Sequence, residues 1–466
     1  MEITIENKIR LKNAPDVLKH LLMEKLKIAN PKFTDAQASG RSIWGINQYI
    51  INFMILPDES MLVPRGIRSF IISKCKELGI EYTLIDKRTK FDHIEMDSSR
   101  IKYRPYQFDA VLNMISDAPE GILVAPAGSG KTIMGLSVIP LLGQPTLWLT
   151  HTGPLADQVV ERASSFLPDI GQVGSIGAGK WDIGNILTIG MIQTLVRNAE
   201  DLIKLRNTFG LVILDEAHHC PARTFLDVIS HLNPYYVYGL TATPYRRDGL
   251  EQLMFQTIGL TTTIIPIKKV EKYGGIIMPV VWERSIRSAT VEGNDIQDII
   301  TKHIIGNQKR TNIIVEDVLR DSKNDHFGIV VSDRREHCEI LYKQISDKWP
   351  KTGIATGKYS KKYVREQVAA FNDGRITTLV ATFALLGEGF DVPFLDRAYI
   401  CMPFRAEAKV EQLIGRVQRQ FPGKKDAVVY DYVDVDIGVV KNQYFNKSKT
   451  CRHRAYMRLG VTVEPH

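Results

Sequence analysis

The sequence predicts an α/β protein with two tandem doubly wound parallel sheets, preceded by a small α+β domain. Three observations carry this. Short apolar runs recur, each followed by turn-formers and a longer helical stretch: GILVAPAGSG (121–130), TLWLT (146–150), ILTIG (186–190), LVILDEAHH (211–219) and YYVYGLTATP (235–244). The series then restarts as FGIVVSD (327–333), TTLVATF (377–383) and RAYICMP (397–403). Continuous apolar runs mark strands covered on both faces, with functional residues at their carboxyl ends. Residues 1–98 lack the series, which sets them apart.

In chain order, residues 1–98 mix short strands (YIINFMIL, 49–56; IEYTLID, 80–86) with two helices (APDVLKHLLMEKL, 14–26; GIRSFIISKCKELG, 66–79). Their charge is nearly balanced, 15 basic against 13 acidic residues. Lys32, Arg41, Arg65 and Arg68, with aromatic Phe33, Trp44 and Tyr49, form a candidate nucleic-acid surface. The alternative is a scaffold whose aromatics are core. The first large α/β domain is expected over 99–265 and the second over 266–436. Between their strands, IIPIKKVEKYGGIIMPVVWERS (264–285) reads as a linker. Residues 437–466 read as a basic tail, with Lys441, Lys447, Lys449, Arg452, Arg454 and Arg458 against Glu464.

Length and composition agree. The chain has 466 residues, 44% of them hydrophobic, enough for several packed cores. The net charge of +8 tilts mildly toward a polyanionic partner. Five scattered cysteines, never as CxxC, argue against a disulfide framework and for a reducing compartment. MEITIENKIRLKN has no apolar core, so no signal peptide is expected. No apolar run approaches the roughly 18 residues of a membrane helix. The expectation is a soluble cytoplasmic protein, in a bacterial cell or a phage-infected host, with no membrane partner.

APAGSGKT (Ala125–Thr132) stands between a strand and a helix. Small residues Ala127, Gly128, Ser129 and Gly130 let backbone amides close around phosphates, and a helix N-terminus favours an anion. Lys131 would reach the β- and γ-phosphates, and Thr132 would hold Mg²⁺ through its hydroxyl. Ala125 stands where the usual GxxxxGK[ST] pattern has its first glycine.

LDEAHHC (214–220) invites a zinc reading. Ligands at i, i+3, i+4 and i+5 on a strand end lack a second pair with matching spacing, which argues against it. A phosphate loop instead needs an acid at a neighbouring strand end to hold Mg²⁺, and Asp215 fits. Glu216 can then orient or deprotonate a water, and His218 would lie near the γ-phosphate region.

APAGSGKT, LDEAHH, GLTATP (239–244) and QLIGRVQR (412–419) stand in the order found in superfamily 2 helicases and translocases, which the chain resembles from residue 102 to about 436. The resemblance implies two RecA-like domains with ATP and Mg²⁺ as cofactors. KYRPYQ (102–107) looks like the adenine-reading segment, with Gln107 on the base edge and Tyr106 or Arg104 on the ring. LTHTGPLADQ (149–158) and TIGMIQTL (188–195) resemble nucleic-acid motifs, making Thr150, Gln193 and Thr194 candidate phosphate contacts. In the second domain, VSDRREHC (331–338) and ATFALLGEGFDVP (381–393) add Arg334 and Thr382 to that set, and place Gly389 and Asp391 near the ribose. The QxxGRxxR spacing makes Arg416 and Arg419 the arginines that stabilise γ-phosphate charge.

NPKF (30–33), Gly40–Arg41 and LVPRGIRSFIISKCKELGIEYTLID (62–86) resemble the N-terminal domain of UvsW-type phage helicases, which branch-migrate DNA junctions. TATP and DEAH are closer to XPB-like and restriction-type motors, and EGFD departs from the RGxD of RNA-directed DEAD-box members. The resemblance therefore implies an ATP-dependent DNA helicase or translocase on single-stranded, duplex or branched DNA, without sequence specificity. Its rivals are an RNA helicase, an ATP-gated nucleic-acid clamp and the motor subunit of a restriction or defence complex.

Overall fold

β-branched and aliphatic runs bounded by Gly, Pro and Asp build three main sheets. The computed structural model describes the chain except 217–221, 243–249, 288–295, 387–391, 405–406 and 445–450, and the side chains of Asp117, Ala222, Arg223, Leu386, Ala408 and Val439. It divides into two compact units, Met1–Pro126 with Gly130–Pro266, and Ile267–His466 with Ala127–Ser129.

The first unit opens with β1 (Glu2–Ile5), β2 (Lys8–Lys12), β3 (Lys27–Ala29), β4 (Tyr49–Ile51), β5 (Met54–Ile55), β6 (Met61–Pro64) and β7 (Thr83–Asp86). Alternation in EITI and KIRLK puts Ile3, Ile5, Ile9 and Leu11 on one buried face. The sheet order is β5-β6-β2-β1-β7, antiparallel except between β1 and β7. Helices Asp16–Lys25 and Arg68–Glu77 cover that face with Leu18, Leu22, Ile71 and Cys75. β3 and β4 form a separate antiparallel ribbon.

The same unit continues with β8 (Glu120–Val124), β9 (Thr146–Thr150), β10 (Gly174–Gly177), β11 (Lys180–Asp182), β12 (Leu187–Met191), β13 (Leu211–Asp215), β14 (Tyr236–Thr241) and β15 (Thr261–Ile264). Their order is β11-β10-β12-β9-β13-β14-β8-β15, parallel except at β10/β11. Every residue of β8, β9 and β13 is buried, as continuous apolar runs require.

Arg65 and Arg68, expected as nucleic-acid contacts, have another task. Arg65 is 1% exposed and bonds Glu120 at 3.1 Å, while Arg68 meets the same carboxylate at 2.9 Å and Arg88 at 3.4 Å. Glu120 begins β8, so three guanidiniums fasten residues 1–98 to the root of the phosphate-loop strand. A charge cannot stay buried unpaired, and here each guanidinium faces the Glu120 carboxylate, with Asp86 adding a second acid beside Arg88.

The second unit contains β16 (Val280–Ile286), β17 (Gly328–Ser332), β18 (Thr352–Ala355), β19 (Thr378–Thr382), β20 (Arg397–Ile400), β21 (Val428–Asp434) and β22 (Thr462–Pro465). Their order is β18-β19-β17-β20-β21-β16-β22, parallel throughout. Two sequence readings are corrected here. The segment 264–285 is no plain linker: it holds the helix Ile267–Lys272, and β16 pairs along its length with β21. The basic tail is not a free tail: β22 pairs with β16, and Arg452 is buried against Asp431 at 2.8 Å. Among the described residues no helix is long and apolar enough to cross a membrane.

Candidate functional site

The carboxyl edge of the first parallel sheet gathers the predicted residues. In register, Asp215 on β13 lies beside Leu240 on β14, and Leu240 beside Leu123 on β8. The phosphate loop therefore leaves the sheet one strand away from the acidic pair. Ala125 N–H donates to Thr241 O (2.9 Å), which pins the loop's first residue to β14. Gly128 and Gly130 take φ of 81° and 86°, conformations that cost other residues about 1–2 kcal/mol. The helix Lys131–Leu142 then starts with its amides directed at the loop.

Lys131 is buried, and its Nζ lies 3.4 Å from Glu216 Oε1 and 3.3 Å from Ala125 O. Glu216 has φ of 50°, an unusual backbone for a glutamate. Its N–H donates to Asp215 Oδ1 at 3.0 Å, which helps hold that turn. Asp215 is 5% exposed. Burial, and then the Glu216 charge, push its carboxyl up to about 7, opposed by Lys131 and Arg162. Two carboxylates crowded in a buried corner fit a divalent cation, since a cation there offsets both burial and repulsion. With Lys131 beside them and Thr132 next in the chain, the donor set suits Mg²⁺ and a polyphosphate.

Sequence reasoning missed Arg162. It lies on the helix Gly153–Phe166, burial lowers its pKa, and Asp215 is the first charge acting against that. One arginine on an amphipathic helix carries no motif, so nothing in the sequence marked it.

Gln107 is buried at the start of the helix Pro105–Asp117. Its Oε1 accepts from Arg104 N–H at 2.8 Å. A β-carbon at Gly130 would collide with its amide nitrogen, so Gln107 packs on the phosphate loop itself. Tyr106 is corrected: at 1% exposure its ring is core and has no face for a base. Arg104 is half-buried, and the partly open aromatics beside it are Tyr103 and Phe108, with centroids 5.1 Å apart.

Of the nucleic-acid candidates, Thr150 ends β9 in register with Met191 of β12, and Gln193 and Thr194 open the helix Ile192–Arg197 that follows. These three share one sheet edge. Gln193 is exposed and Thr194 half-buried, but Thr150 is fully buried with its hydroxyl toward Thr152 O at 3.5 Å. Thr150 is thus corrected from phosphate contact to part of the strand end.

In the second unit, Thr382 ends β19 in register with Ser332 of β17. Arg334 follows two residues later and donates to Gln297 Oε1 at 2.7 Å. Thr382 and Arg334 thus share a sheet edge. Arg416 closes the helix Glu407–Val417, and burial lowers its guanidinium to about 10, still charged at neutral pH. Arg419 N–H donates to Arg416 O at 3.3 Å. His218, Gly389 and Asp391 lie outside the described residues, as do His219 and Cys220 of the zinc reading.

Residues 100–246 match the family described as "Type III restriction enzyme, res subunit", and residues 310–420 match "Helicase conserved C-terminal domain". The protein "Probable helicase D10" of Escherichia phage T5 is 25% identical over 91% of this chain and 92% of its own. The "DNA 3'-5' translocase XPB2" of Sulfurisphaera tokodaii is 26% identical over 79% of this chain and 88% of its own. Among solved structures, S. cerevisiae Dbp5 bound to RNA and ADP BeF3 aligns over 78% of this chain and 90% of its own, at 16% identity and a TM-score of 0.50. T4 UvsW aligns over 100% of this chain and 99% of its own, at 17% identity and a TM-score of 0.41.

Proposed function

The chain carries the two motor domains of a superfamily 2 helicase, and on that footing we propose an ATP-dependent DNA helicase or translocase. Its substrates are branched or duplex DNA, engaged without sequence specificity in fork or junction remodelling, branch migration, recombination and repair. Its compartment is the cytoplasm of a bacterial cell or phage-infected host. The observation that carries the chemistry is the meeting of Lys131 and Glu216 at 3.4 Å beside Asp215. In favour of DNA stands the likeness to a relative named as a DNA translocase. The RNA reading draws on a relative from Acanthamoeba polyphaga mimivirus whose name includes ATP-dependent RNA helicase.

Lys131 and the loop amides of Gly128–Thr132 bind the β- and γ-phosphates of ATP. Thr132 and Asp215 would hold Mg²⁺, which would supply neutralisation of the phosphate charge. Glu216 orients the attacking water and takes its proton. Arg416 and Arg419 stabilise the charge that develops as the γ-phosphoryl leaves. Gln193, Thr194, Arg334 and Thr382 contact the nucleic-acid backbone from the strand ends.

The test is ATP hydrolysis and strand displacement on a matched panel of single strand, blunt duplex, fork, four-way junction and RNA duplex, with Lys131→Ala as the inactive control. Fork or junction DNA should stimulate best and be resolved. Stronger stimulation by RNA would transfer the assignment to RNA. Nucleotide-dependent affinity without strand movement would leave only a clamp.

A further inference from the structure

The region between β3 and β4 carries an ordered loop with an aromatic side chain at its tip. Trp44 is 92% exposed, yet its surroundings are tied together. Ile46 N–H donates to Ile43 O (3.1 Å), closing a turn around Trp44 and Gly45, and Gly45 takes φ of 75° as such a turn needs. Trp44 N–H donates to Ser42 Oγ (3.3 Å), and Arg41 Nε to Ser39 Oγ (2.9 Å). Asn30 caps the helix Pro31–Ala38 and also donates to Asn47 O at 2.7 Å, fastening both ends of the excursion. Ile43, Tyr49 and Ile51 of the same excursion are exposed as well, and several exposed apolar side chains on one short segment, rather than one alone, mark a contact surface.

The ribbon is anchored as firmly as its tip is open. Ile28 of β3 packs on Leu253, flanked by Ile50, Leu226 and Leu250. Asn52 donates to Gln256 Oε1 at 2.7 Å, and Gln256 donates back to Lys25 O at 3.1 Å. Leu226 and Leu253 lie on the helices Ala222–His231 and Glu251–Ile258, which among the described residues are the first helices after the DEAH and TATP stretches. The ribbon that leads to Trp44 therefore rests on the helices that follow the DEAH and TATP stretches.

Charge chooses the occupant. From Ala36 to Pro57 the only charged residue is Arg41. Lys27 stands over the Tyr49 ring at 4.5 Å. An exposed aromatic face beside a cation is what unpaired bases on a phosphate backbone recognise; Lys27 also meets Glu24 at 3.9 Å, which leaves Arg41 as the cation of the loop. We infer that Trp44 stacks on an unpaired base where strands separate, with Arg41 on the adjoining phosphate. This rests on the nucleic-acid motor reading and adds to it a base-contacting wedge outside the two motor sheets.

The test uses the full chain with Trp44→Ala and Trp44→Phe, and a dye-labelled DNA fork beside a blunt duplex of the same length. Trp44→Ala should weaken fork binding about tenfold or more and blunt-duplex binding far less, while Trp44→Phe stays close to the parent. Unlabelled single strand should quench tryptophan emission in the parent more than in Trp44→Phe. Equal affinities of parent and Trp44→Ala for the fork overturn the inference, as does an equal loss on fork and duplex. A parent that sediments as a dimer while Trp44→Ala is monomeric, with fork binding intact, overturns it in favour of a self-association surface. If the parent moves no strand but the fork-selective loss persists, the motor reading fails and the base contact stands.

Discussion

Lys131 and Glu216 share one contact, and the function proposed above gives them separable duties, which makes the separation measurable. Lys131→Ala removes the phosphate-binding charge, so nucleotide affinity and hydrolysis should both collapse. Glu216→Gln keeps the shape and relieves the repulsion on Asp215. It should retain ATP binding in equilibrium dialysis while hydrolysis falls about 10²–10⁴-fold. A second residue-scale prediction concerns His337, fully buried on the helix Arg335–Ser346 with its Nδ1 3.2 Å from Ser332 Oγ. Burial, and then the Arg310 charge, lower its pKa from 6.5 to about 3. The unfolded chain therefore binds a proton that the folded chain refuses. Its neutral form gives full stability above pH 6.5, and stability is lost as pH falls below that value. Between pH 6.5 and 5 the loss from this group is about 2 kcal/mol. His337→Gln should flatten that part of the acid dependence in urea titrations; an unchanged slope would remove His337 as its source.

Among elements, β22 and the helix before it show what was and was not legible. The helix Arg452–Leu459 buries Arg452, whose Nε and Nη2 meet the Asp431 carboxylate at 2.9 and 2.8 Å, while Tyr456 Oη donates to the same group at 2.7 Å. Arg452→Leu strands a buried carboxylate and should cost about 3–5 kcal/mol, with most of it recovered in Arg452→Leu/Asp431→Asn. Additive losses in a double-mutant cycle would contradict this. Six basic residues over 437–466 read as a basic tail adding phosphate contacts, because charge alone does not reveal a partner such as Asp431, 21 positions before Arg452. The VVWERSI run of β16 was hidden in the same way, by Pro, Gly-Gly and lysines on its flank, since its partners β21 and β22 lie far along the chain. The strands that end in motifs were plain because their runs are wholly apolar and stop at Gly, Asp or Thr. The phosphate loop and acidic pair were equally plain. Tyr106 and Thr150 were misjudged because a motif gives a position in the chain, whereas exposure depends on how the helix or strand end packs. Arg162 belongs to neither class, being felt by Asp215 only through the fold.

At the scale of the molecule, residues 1–98 and the first parallel sheet belong to one compact unit rather than two loosely joined ones. The Glu120 cluster explains why. Arg65 spends its remaining donors on Pro234 O at 2.6 Å and Tyr235 O at 2.9 Å, at the entrance to β14. Arg88 adds a bond to Asp86 at 2.6 Å, next to the end of β7. The cluster thus joins the last strand of the small sheet to the roots of two strands whose far ends carry APAGSGKT and TATP. Glu120→Leu removes the carboxylate that pairs with Arg65, Arg68 and Arg88, and leaves Arg65 buried on its backbone acceptors without that ion pair. The expected cost is about 3–5 kcal/mol, which for a unit of this size lowers its melting temperature by about 10 °C. Glu120→Gln should fall between the parent and Glu120→Leu, because a neutral amide oxygen still accepts a bond but supplies no charge. Calorimetry with parallel proteolysis reads the outcome. Residues 1–98 and the first sheet should unfold in one transition in the parent, and that same transition should move in both variants. An N-terminal fragment that melts on its own in the parent, at a temperature indifferent to Glu120, would show that the cluster does not bind the two parts into one folding unit.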